Sequence, residues 1–307
     1  MITLSGKHSQ SMSRKEEMIA FLYIAPFMIG YIIFTVVPSI ATFFLGFLDL
    51  NTFAKMGKLY KAKFIGLDNF KNLFHDDTFV FSFLRSLKYL AIYAPCLVVF
   101  SLLLALLLNN EFYFKKAATT MIFIPYVSNV SAIALIVGGL FLQPFDGTVN
   151  TFLRMMGMSN PPMWLAGVNT ALPTVAVVAA WQGVAFQTVI FIVALKAVNK
   201  ELYEAANIDG CSGHRTFFRI TLPMISPTAF LVIITAVIQS FSSYAIINTM
   251  TQGGPGDASY TLIFNIIATS FNFNKYSYAS AQALVQFAAI LVITLIQWRG
   301  QKKWVHY

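Results

Sequence analysis

The chain has 307 residues, of which 57% are hydrophobic and only 11% are charged. Its mean hydropathy is +0.69, whereas soluble domains carry about 25% charged residues, so a soluble globular protein is excluded. The net charge of +9 is scattered among long apolar runs, which disfavours nucleic acid as a partner because nucleic-acid-binding proteins gather basic residues on one surface. Cys96 and Cys211 are the only cysteines and cannot build a disulfide framework or a metal cluster. We therefore expect an integral membrane protein with no bound metal.

Six apolar runs are long enough to cross a membrane as helices, which need about 20 residues. They are Met18–Leu48, Tyr89–Leu108, Ala118–Leu142, Leu172–Leu195, Thr228–Asn248 and Ala279–Trp298. The first run is too long for a signal peptide and lacks a small-residue cleavage site, so we expect it to be retained. The predicted fold class is all-α with six transmembrane helices, comprising a polar tail at 1–17, a transmembrane domain at 18–298 and a basic tail at 299–307.

The segments between these runs are rich in turn-forming residues. Phe64 to Phe70, with the sequence F-I-G-L-D-N-F, predicts a turn followed by an amphipathic helix. Gln143 to Pro162 contains Pro144, two glycines and a proline pair, which predicts a loop. Gly253 to Gly256, with the sequence G-G-P-G, ends the fifth run in a turn. No internal repeat and no second soluble domain is evident in the sequence.

A polar island at residues 196–227 separates the fourth and fifth runs. Each of its charged residues would cost roughly 2.5–3.5 kcal/mol at a bilayer centre, so the island must lie in water. Leu202 to Asp209 predicts a helix that Gly210 and Gly213 stop, and Arg215 to Leu222 predicts a second helix ended by Pro223. Small alanines that admit another backbone, edged by charges, are typical of a docking surface rather than of a catalytic centre.

The island carries the pattern E-A-A, three residues, G, nine residues, I, one residue, L-P. The matching residues are Glu204, Ala205, Ala206, Gly210, Ile220, Leu222 and Pro223. This pattern resembles the signature loop of inner-membrane permease subunits of ATP-binding-cassette importers. The segment from Phe64 to Phe70, the residues Leu202-Tyr203 and Asp209, and Thr251 with Gly253-Gly254-Pro255 resemble the carbohydrate-uptake branch, which includes maltose-type and glycerol-3-phosphate-type permeases. The similarity extends from about Phe21 to Trp298.

The resemblance implies a type I importer permease fold in which a cytoplasmic helix couples the spans to an ATPase. The coupling residues would be Glu204, Ala205, Ala206, Asp209, Gly210, Leu222 and Pro223. It further implies a heterodimer with a second permease, two cytoplasmic ATP-binding subunits, an extracytoplasmic solute-binding protein and surrounding membrane lipid. ATP and Mg²⁺ would be bound by the partner ATPase, and no cofactor by this chain.

The distribution of basic residues predicts the orientation, because lysine and arginine prefer cytoplasmic loops. Twelve of the 21 Lys and Arg residues lie on the side that holds both termini and the polar island. Of the other nine, seven fall between Lys55 and Lys88. We therefore expect both termini and the island in the cytoplasm of a bacterial or archaeal cell, with the 55–88 segment as an outward-facing exception.

Two other function classes remain for comparison, an ion-coupled secondary transporter and a membrane enzyme. The six apolar runs contain no Asp, Glu, Lys, Arg or His, which disfavours ion coupling through buried ionisable groups. The four histidines are dispersed without ligand spacing, which disfavours a metal-dependent enzyme. The sequence has no G-x-x-x-x-G-K-[ST] phosphate loop, so the energy for an importer must come from a separate ATPase.

Uncharged spans that carry amides, hydroxyls and aromatic rings suit a neutral di- or oligosaccharide. Glycerol phosphate, or a polyol, remains an alternative because a partner permease could supply cations. In maltose-type relatives the sugar contacts lie in the middles of the fourth and fifth spans, and the matching positions are Gln182, Gly183, Phe186, Gln239, Ser240 and Ser243. The asparagines and tyrosine of the maltose permease are not kept, so a different sugar is expected. The competing explanation is that these residues pack spans together.

Overall fold

The structure is a computed structural model that describes residues 14–50, 62–141, 147–302 and 304–305, with side chains from residue 18 onward. The N-terminal tail up to residue 13 therefore lies outside the described residues. So do Lys55, Leu142, Pro144 and the terminal positions Met1 and Tyr307, on which parts of the predictions above rest.

The described chain is almost entirely helical. Its helices, in chain order, are Arg14–Tyr31, Val37–Leu45, Asp68–Leu73, Asp77–Asn109, Lys115–Val127, Val130–Phe141, Thr148–Met155, Ala171–Ala197, Lys200–Ile208, Gly213–Thr216, Leu222–Met224, Ser226–Phe241, Tyr244–Met250, Leu262–Ile267 and Tyr276–Gln301, with π-helical turns at Ile32–Val36, Phe217–Thr221 and Ala268–Asn272. The only described strands are Leu48–Asp49 and Lys63–Phe64, which pair antiparallel with Leu48 opposite Phe64.

Four helical segments are each long and apolar enough to cross a membrane, and two bent pairs bring the number to six. In chain order these spans 1 to 6 are Met18–Leu45, Asp77–Asn109, Lys115–Val127 with Val130–Phe141, Ala171–Ala197, Gly213–Met224 with Ser226–Phe241, and Tyr276–Gln301. The prediction of six spans is confirmed. Its starting point for span 2 is wrong, because the helix begins at Asp77 rather than at Tyr89. Asp76 caps this longer helix by accepting hydrogen bonds from the backbone N–H groups of Thr78 and Phe79, at 2.9 and 3.4 Å.

Span 3 is not the straight helix that the apolar run predicted, because its two halves meet at 107°. The first half contains Pro125, which lacks a backbone N–H and weakens the helix at that turn. The second half is capped by Asn129, whose Oδ1 accepts from the backbone N–H groups of Ser131 and Ala132 at 2.9 and 3.3 Å. Local capping therefore interrupts the apolar run.

Span 5 also differs from the predicted Thr228–Asn248. The helix Ser226–Phe241 ends seven residues before Asn248, and a separate helix, Tyr244–Met250, follows it. At the break, the hydroxyls of Ser242 and Ser243 donate to the carbonyl oxygens of Ile238 and Gln239, at 3.1 and 2.9 Å. Such side-chain bonds compete with the helical hydrogen bonds of the backbone, so the serines mark the end of the helix.

Spans 2 and 4 pack against each other and form the centre of the fold. Leu97, Val175 and Val184 are buried in one apolar cluster, while Ala105 and Phe191 are buried in a second cluster nearer the signature loop, defined as residues 196–227. A hydrogen bond from the Thr188 hydroxyl to the Ser101 carbonyl joins the two spans at 3.4 Å. These contacts fix the position of span 2 relative to span 4. They thereby also fix the positions of the polar residues that the two spans carry.

The opposite end is tied together by buried polar side chains. Asn69 donates to the carbonyl oxygens of Gly46 and Leu48 at 2.9 and 3.1 Å, which fixes the end of span 1. The Ser277 hydroxyl accepts from the Leu50 N–H at 2.9 Å and links span 1 to the start of span 6. The turn at Gly66 and the helix Asp68–Leu73 match the turn and amphipathic helix predicted there.

Candidate functional site

The signature loop folds as a helix, a glycine turn and a second helical segment. Asn199 caps the helix Lys200–Ile208, since its Oδ1 accepts from the Glu201 N–H at 3.0 Å. Gly210 has φ +68°, a left-handed conformation that glycine adopts without strain. The Cys211 N–H then bonds to the Ala206 carbonyl at 2.9 Å and closes the turn. The predicted helix stop at Gly210 is therefore observed.

The second segment does not end at Pro223 as the sequence suggested. The segment continues to Met224, and the π-helical turn Phe217–Thr221 comes directly before its last helix, Leu222–Met224. Pro223 thus occupies the first turn of a short helix, where its missing N–H needs no partner. The bend of 69° follows Met224, before Ser226 begins the rest of span 5.

The first helix of the loop has one face against the protein and one face in solvent. Ala206 is only 4% exposed, and the Tyr203 hydroxyl lies 3.2 Å from the Thr221 hydroxyl, which anchors this helix to the second segment. Glu204, Ala205, Asp209 and Gly210 are exposed. One face of the helix is therefore attached to the rest of the protein, while the other face is exposed and accessible.

Sequence reasoning missed Ile208, whose side chain is 86% exposed beside this free face. It lies one helical turn after Glu204, so the two side chains share a face. An apolar residue at this spacing inside an otherwise charged island was the signal that could have found it. Its exposure gives this face an apolar side chain beside charged ones, a composition that protein interfaces share.

A second candidate site is a cavity of about 320 Å³ between spans 2, 3, 4 and 5. Five of the six residues predicted to contact sugar line this cavity, namely Gln182, Gly183, Phe186, Gln239 and Ser243. The sixth, Ser240, does not line it, because its side chain is buried and donates to the Val237 carbonyl at 2.7 Å.

The polar groups of the cavity are held by contacts across the spans. The Tyr93 hydroxyl of span 2 donates to Oε1 of Gln239 in span 5 at 3.0 Å. A Cβ atom at Gly183 would lie 3.2 Å from Leu97 Cδ1 and 3.4 Å from the Tyr93 hydroxyl, so glycine leaves room for the tyrosine. Gln239 thus presents its amide N–H₂ group while its oxygen is occupied.

One wall of the cavity is aromatic. The rings of Tyr126 and Phe186 stack with centroids 5.8 Å apart and planes 12° from parallel. The lining also includes Tyr93, Tyr126 and Ser242, which sequence reasoning did not select. Tyrosines inside apolar spans were the available signal, since their hydroxyl needs a partner when buried.

No Asp, Glu, Lys, Arg or His lines this cavity in the part of the chain that the structure describes. The described residues likewise contain no group of three or more His, Cys, Asp or Glu side chains that could hold a metal ion. The available chemistry is therefore hydrogen bonding by amides and hydroxyls and contact with aromatic rings.

Six membrane spans, four of which surround a small uncharged polar cavity, with an exposed helix at one end, are typical of a solute permease. Residues 77–298 match the family described as the binding-protein-dependent transport system inner membrane component, and the chain belongs to this family. The predicted class, a permease subunit of a binding-protein-dependent ATP-binding-cassette importer with the type I fold, is confirmed.

Relatives match along nearly the whole chain. The probable ABC transporter permease protein YesP of Bacillus subtilis is 32% identical over 98% of this chain and 96% of its own. The sn-glycerol-3-phosphate transport system permease protein UgpA of Agrobacterium fabrum is 31% identical over 97% and 99%. A bacterial alginate ABC transporter, solved with an alginate pentasaccharide-bound periplasmic protein, has a chain with the same fold, at a TM-score of 0.79, 23% identity and coverage of 94% and 96%.

Proposed function

We propose that this permease carries a neutral di- or oligosaccharide through the cavity between spans 2, 3, 4 and 5. The observation that carries the proposal is the uncharged lining, in which Gln182 and Gln239 supply amides and the stacked Tyr126–Phe186 pair supplies an aromatic wall. Amide groups can both donate to and accept from sugar hydroxyls, and a ring face packs against the apolar face of a pyranose. A charged solute would lose its hydration here without gaining a counter-charge.

The volume sets the size of what this subunit can enclose. About 320 Å³ lies at the lower end of the range for ligand pockets, about 300–1,000 Å³. One sugar ring fits such a space, so a longer sugar must also contact the second permease. A heterodimer with a homologous permease, as the outward Gly253-Gly254-Pro255 loop implied, supplies that second wall.

Coupling to energy takes place at the signature loop. Two cytoplasmic ATPase subunits bind ATP and Mg²⁺, and this chain, which acts as a transporter subunit and not as an enzyme, contributes no ATPase site. The helix Lys200–Ile208 docks on one of them through Glu204, Ala205, Asp209, Gly210 and Ile208, while Ala206 holds it to the spans. Leu222 and Pro223 then pass its movement into span 5. Closure of the ATPases thereby favours the state of the spans that opens outward.

Glycerol 3-phosphate is the second candidate, because relatives named for its transport are 27–31% identical to this chain. A phosphate ester needs cations or several N–H donors, and the described lining offers no Lys or Arg. If this solute is carried, the partner permease must provide the cation.

Uptake by the assembled transporter distinguishes the two candidates. Proteoliposomes containing both permeases, the ATPase subunits and internal ATP are supplied with the solute-binding protein and with radiolabelled solutes. The panel is maltose, trehalose, sucrose, cellobiose, raffinose and glycerol 3-phosphate. We expect ATP-dependent accumulation of at least one neutral sugar. Accumulation of glycerol 3-phosphate alone, or equal uptake without ATP, contradicts the proposal.

A further inference from the structure

A basic groove is formed by the connection that follows span 2 and by the first turns of span 3, at the end of the molecule that carries the signature loop. Its lining includes Glu111, Tyr113, Lys115, Lys116, Thr119 and Thr120, and its volume is about 820 Å³. The end is identified by Lys196, the last lysine of span 4, which acts electrostatically on Glu111. Neither the signature loop nor the cavity uses these residues.

The groove carries more positive than negative charge. Lys115 Nζ lies 2.6 Å from Glu111 Oε1, and this contact, helped by Lys196, holds the pKa of the Glu111 carboxyl below its ordinary value. Glu111 is therefore ionised and offsets one lysine. Lys116 has no carboxylate partner among the described residues, and Lys196 adds a further charge nearby. An anionic group placed in the groove would meet this uncompensated charge.

Exposed aromatic and apolar side chains flank the lysines. Tyr113 is 95% exposed and its ring packs edge-on against the ring of Phe114, with centroids 4.8 Å apart. One to three turns after Lys116 along span 3, Met121 and Ile124 are exposed as well. Aromatic rings of this kind are enriched at the level of lipid headgroups, and the apolar residues beyond them lie at acyl-chain depth.

We propose that this groove binds the headgroup of an anionic phospholipid of the leaflet on the signature-loop side. Basic residues beside a membrane span attract anionic lipids electrostatically. The surface changes from cationic to apolar within a few turns of one helix, which fits an amphiphile and does not fit a soluble phosphate. The Thr119 and Thr120 hydroxyls donate to the carbonyl oxygens of Lys115 and Lys116, so the lysine ammonium groups carry the headgroup contact.

The test is native mass spectrometry of the detergent-solubilised complex of both permeases and the ATPase subunits. The complex is titrated separately with phosphatidylglycerol and phosphatidylcholine of identical acyl chains. We expect tighter binding of phosphatidylglycerol, and a loss of about tenfold in that preference in the K115Q/K116Q variant. The charge-preserving K115R/K116R variant should retain it. K63Q/K71Q, which removes two exposed lysines at the opposite end, is the matched control and should retain it as well.

Four outcomes overturn the proposal. The first is equal binding of the two lipids to the unmodified complex, and the second is a preference that survives in K115Q/K116Q. The third is displacement of bound phosphatidylglycerol by millimolar glycerol 3-phosphate, since the groove would then accept a soluble phosphate. Loss of the ATPase subunits from K115Q/K116Q with an unchanged lipid preference also contradicts it and assigns the groove to a protein contact. None of these readings depends on which solute the transporter carries.

Discussion

Gln182 and Gln239 line the cavity from two different spans, and each offers an amide in the membrane interior. Gln182 is 8% exposed, so its side chain is reachable only from the cavity. Ser240 follows Gln239 in the same helix but its hydroxyl is satisfied by the Val237 carbonyl. Neighbouring residues of one span thus have different roles, depending on which face of the helix they occupy.

The first prediction is that Gln182→Leu and Gln239→Leu each raise the KM for uptake by about five- to tenfold, the effect of losing one hydrogen bond of about 1 kcal/mol. Assembly and basal ATPase activity should be unchanged. Uptake kinetics in proteoliposomes measure this, with Ser240→Ala as the matched control that leaves the KM unaltered. Unchanged kinetics in both glutamine variants would move the sugar contacts to the partner permease. A defect in Ser240→Ala as large as that in Gln239→Leu would contradict the observed lining.

Gly210 has a φ of +68°, a left-handed conformation that favours glycine and lets the chain turn between the two segments of the signature loop. The second prediction is that Gly210→Asp weakens copurification of the ATPase subunits and abolishes transport. Its added charge and side chain would stand at the docking face. Gly210→Asn tests the backbone alone, since asparagine tolerates left-handed φ better than other residues, and it should retain most of the coupling. Equal loss in both variants would show that the turn serves only folding.

At the scale of elements, the proposed coupling role requires the helix Lys200–Ile208 to move as a unit with spans 4 and 5. Its rear contacts, Ala206 and the Tyr203–Thr221 pair, attach it to the second segment. Its front exposes Glu204 and Ile208. A helix that is attached to the protein on one face and exposed on the other can transmit the movement of a bound partner without unfolding.

The third prediction concerns this front face. Ile208→Ala removes apolar area that docking would bury, and fully burying an isoleucine is worth about 1.5–3 kcal/mol, so we expect about tenfold weaker binding of the ATPase subunit. Surface-immobilised permease and purified ATPase subunit give the affinity directly. Ile124→Ala, on an exposed face of span 3, is the control and should have no effect. For the charged edge, sugar-stimulated ATPase activity that remained intact in Glu204→Lys would contradict the docking role.

At the scale of the whole molecule, span 4 separates two ends for which different partners are proposed. Met158 lies before span 4 and Gly213 after it, so the two residues belong to opposite sides of a membrane. The basic-residue bias predicts that Gly213 lies in the cytoplasm, as the proposed docking role of the signature loop also requires. The chain termini, expected on the same side, extend beyond the described residues.

The fourth prediction follows for intact cells, in a background with Cys96 and Cys211 replaced. A cysteine at Met158 should react with a membrane-impermeant maleimide, while a cysteine at Gly213 should react only after the membrane is permeabilised. Mass-tag shifts on gels report both reactions. Labelling at Gly213 from outside would reverse the orientation, and with it the assignment of the ATPase side.

The sequence by itself determined the class of this protein, because that depends on local properties. The sequence has six apolar runs without ionisable residues. In a membrane, the backbone N–H and C=O groups of such runs must bond to each other, which a helix allows because its hydrogen bonds are internal. Likewise, the E-A-A, glycine and L-P positions all lie within one short stretch of sequence. The geometry of one helix and one turn therefore fixes their relative positions without any long-range contact. The signature loop could therefore be identified from the sequence before any tertiary contact was known.

Only the tertiary structure decided which residues form the cavity. Tyr93 and Gln239 are 146 residues apart in the sequence. Their hydrogen bond forms because span 2 packs against both span 4 and span 5, which brings the two side chains together. The exclusion of Ser240 has the same origin, because a helix turns about 100° per residue and a neighbour in sequence faces elsewhere. The break in span 3 depends on capping by Asn129, and the end of span 5 depends on the hydrogen bonds of Ser242 and Ser243. Hydropathy alone does not register these polar contacts.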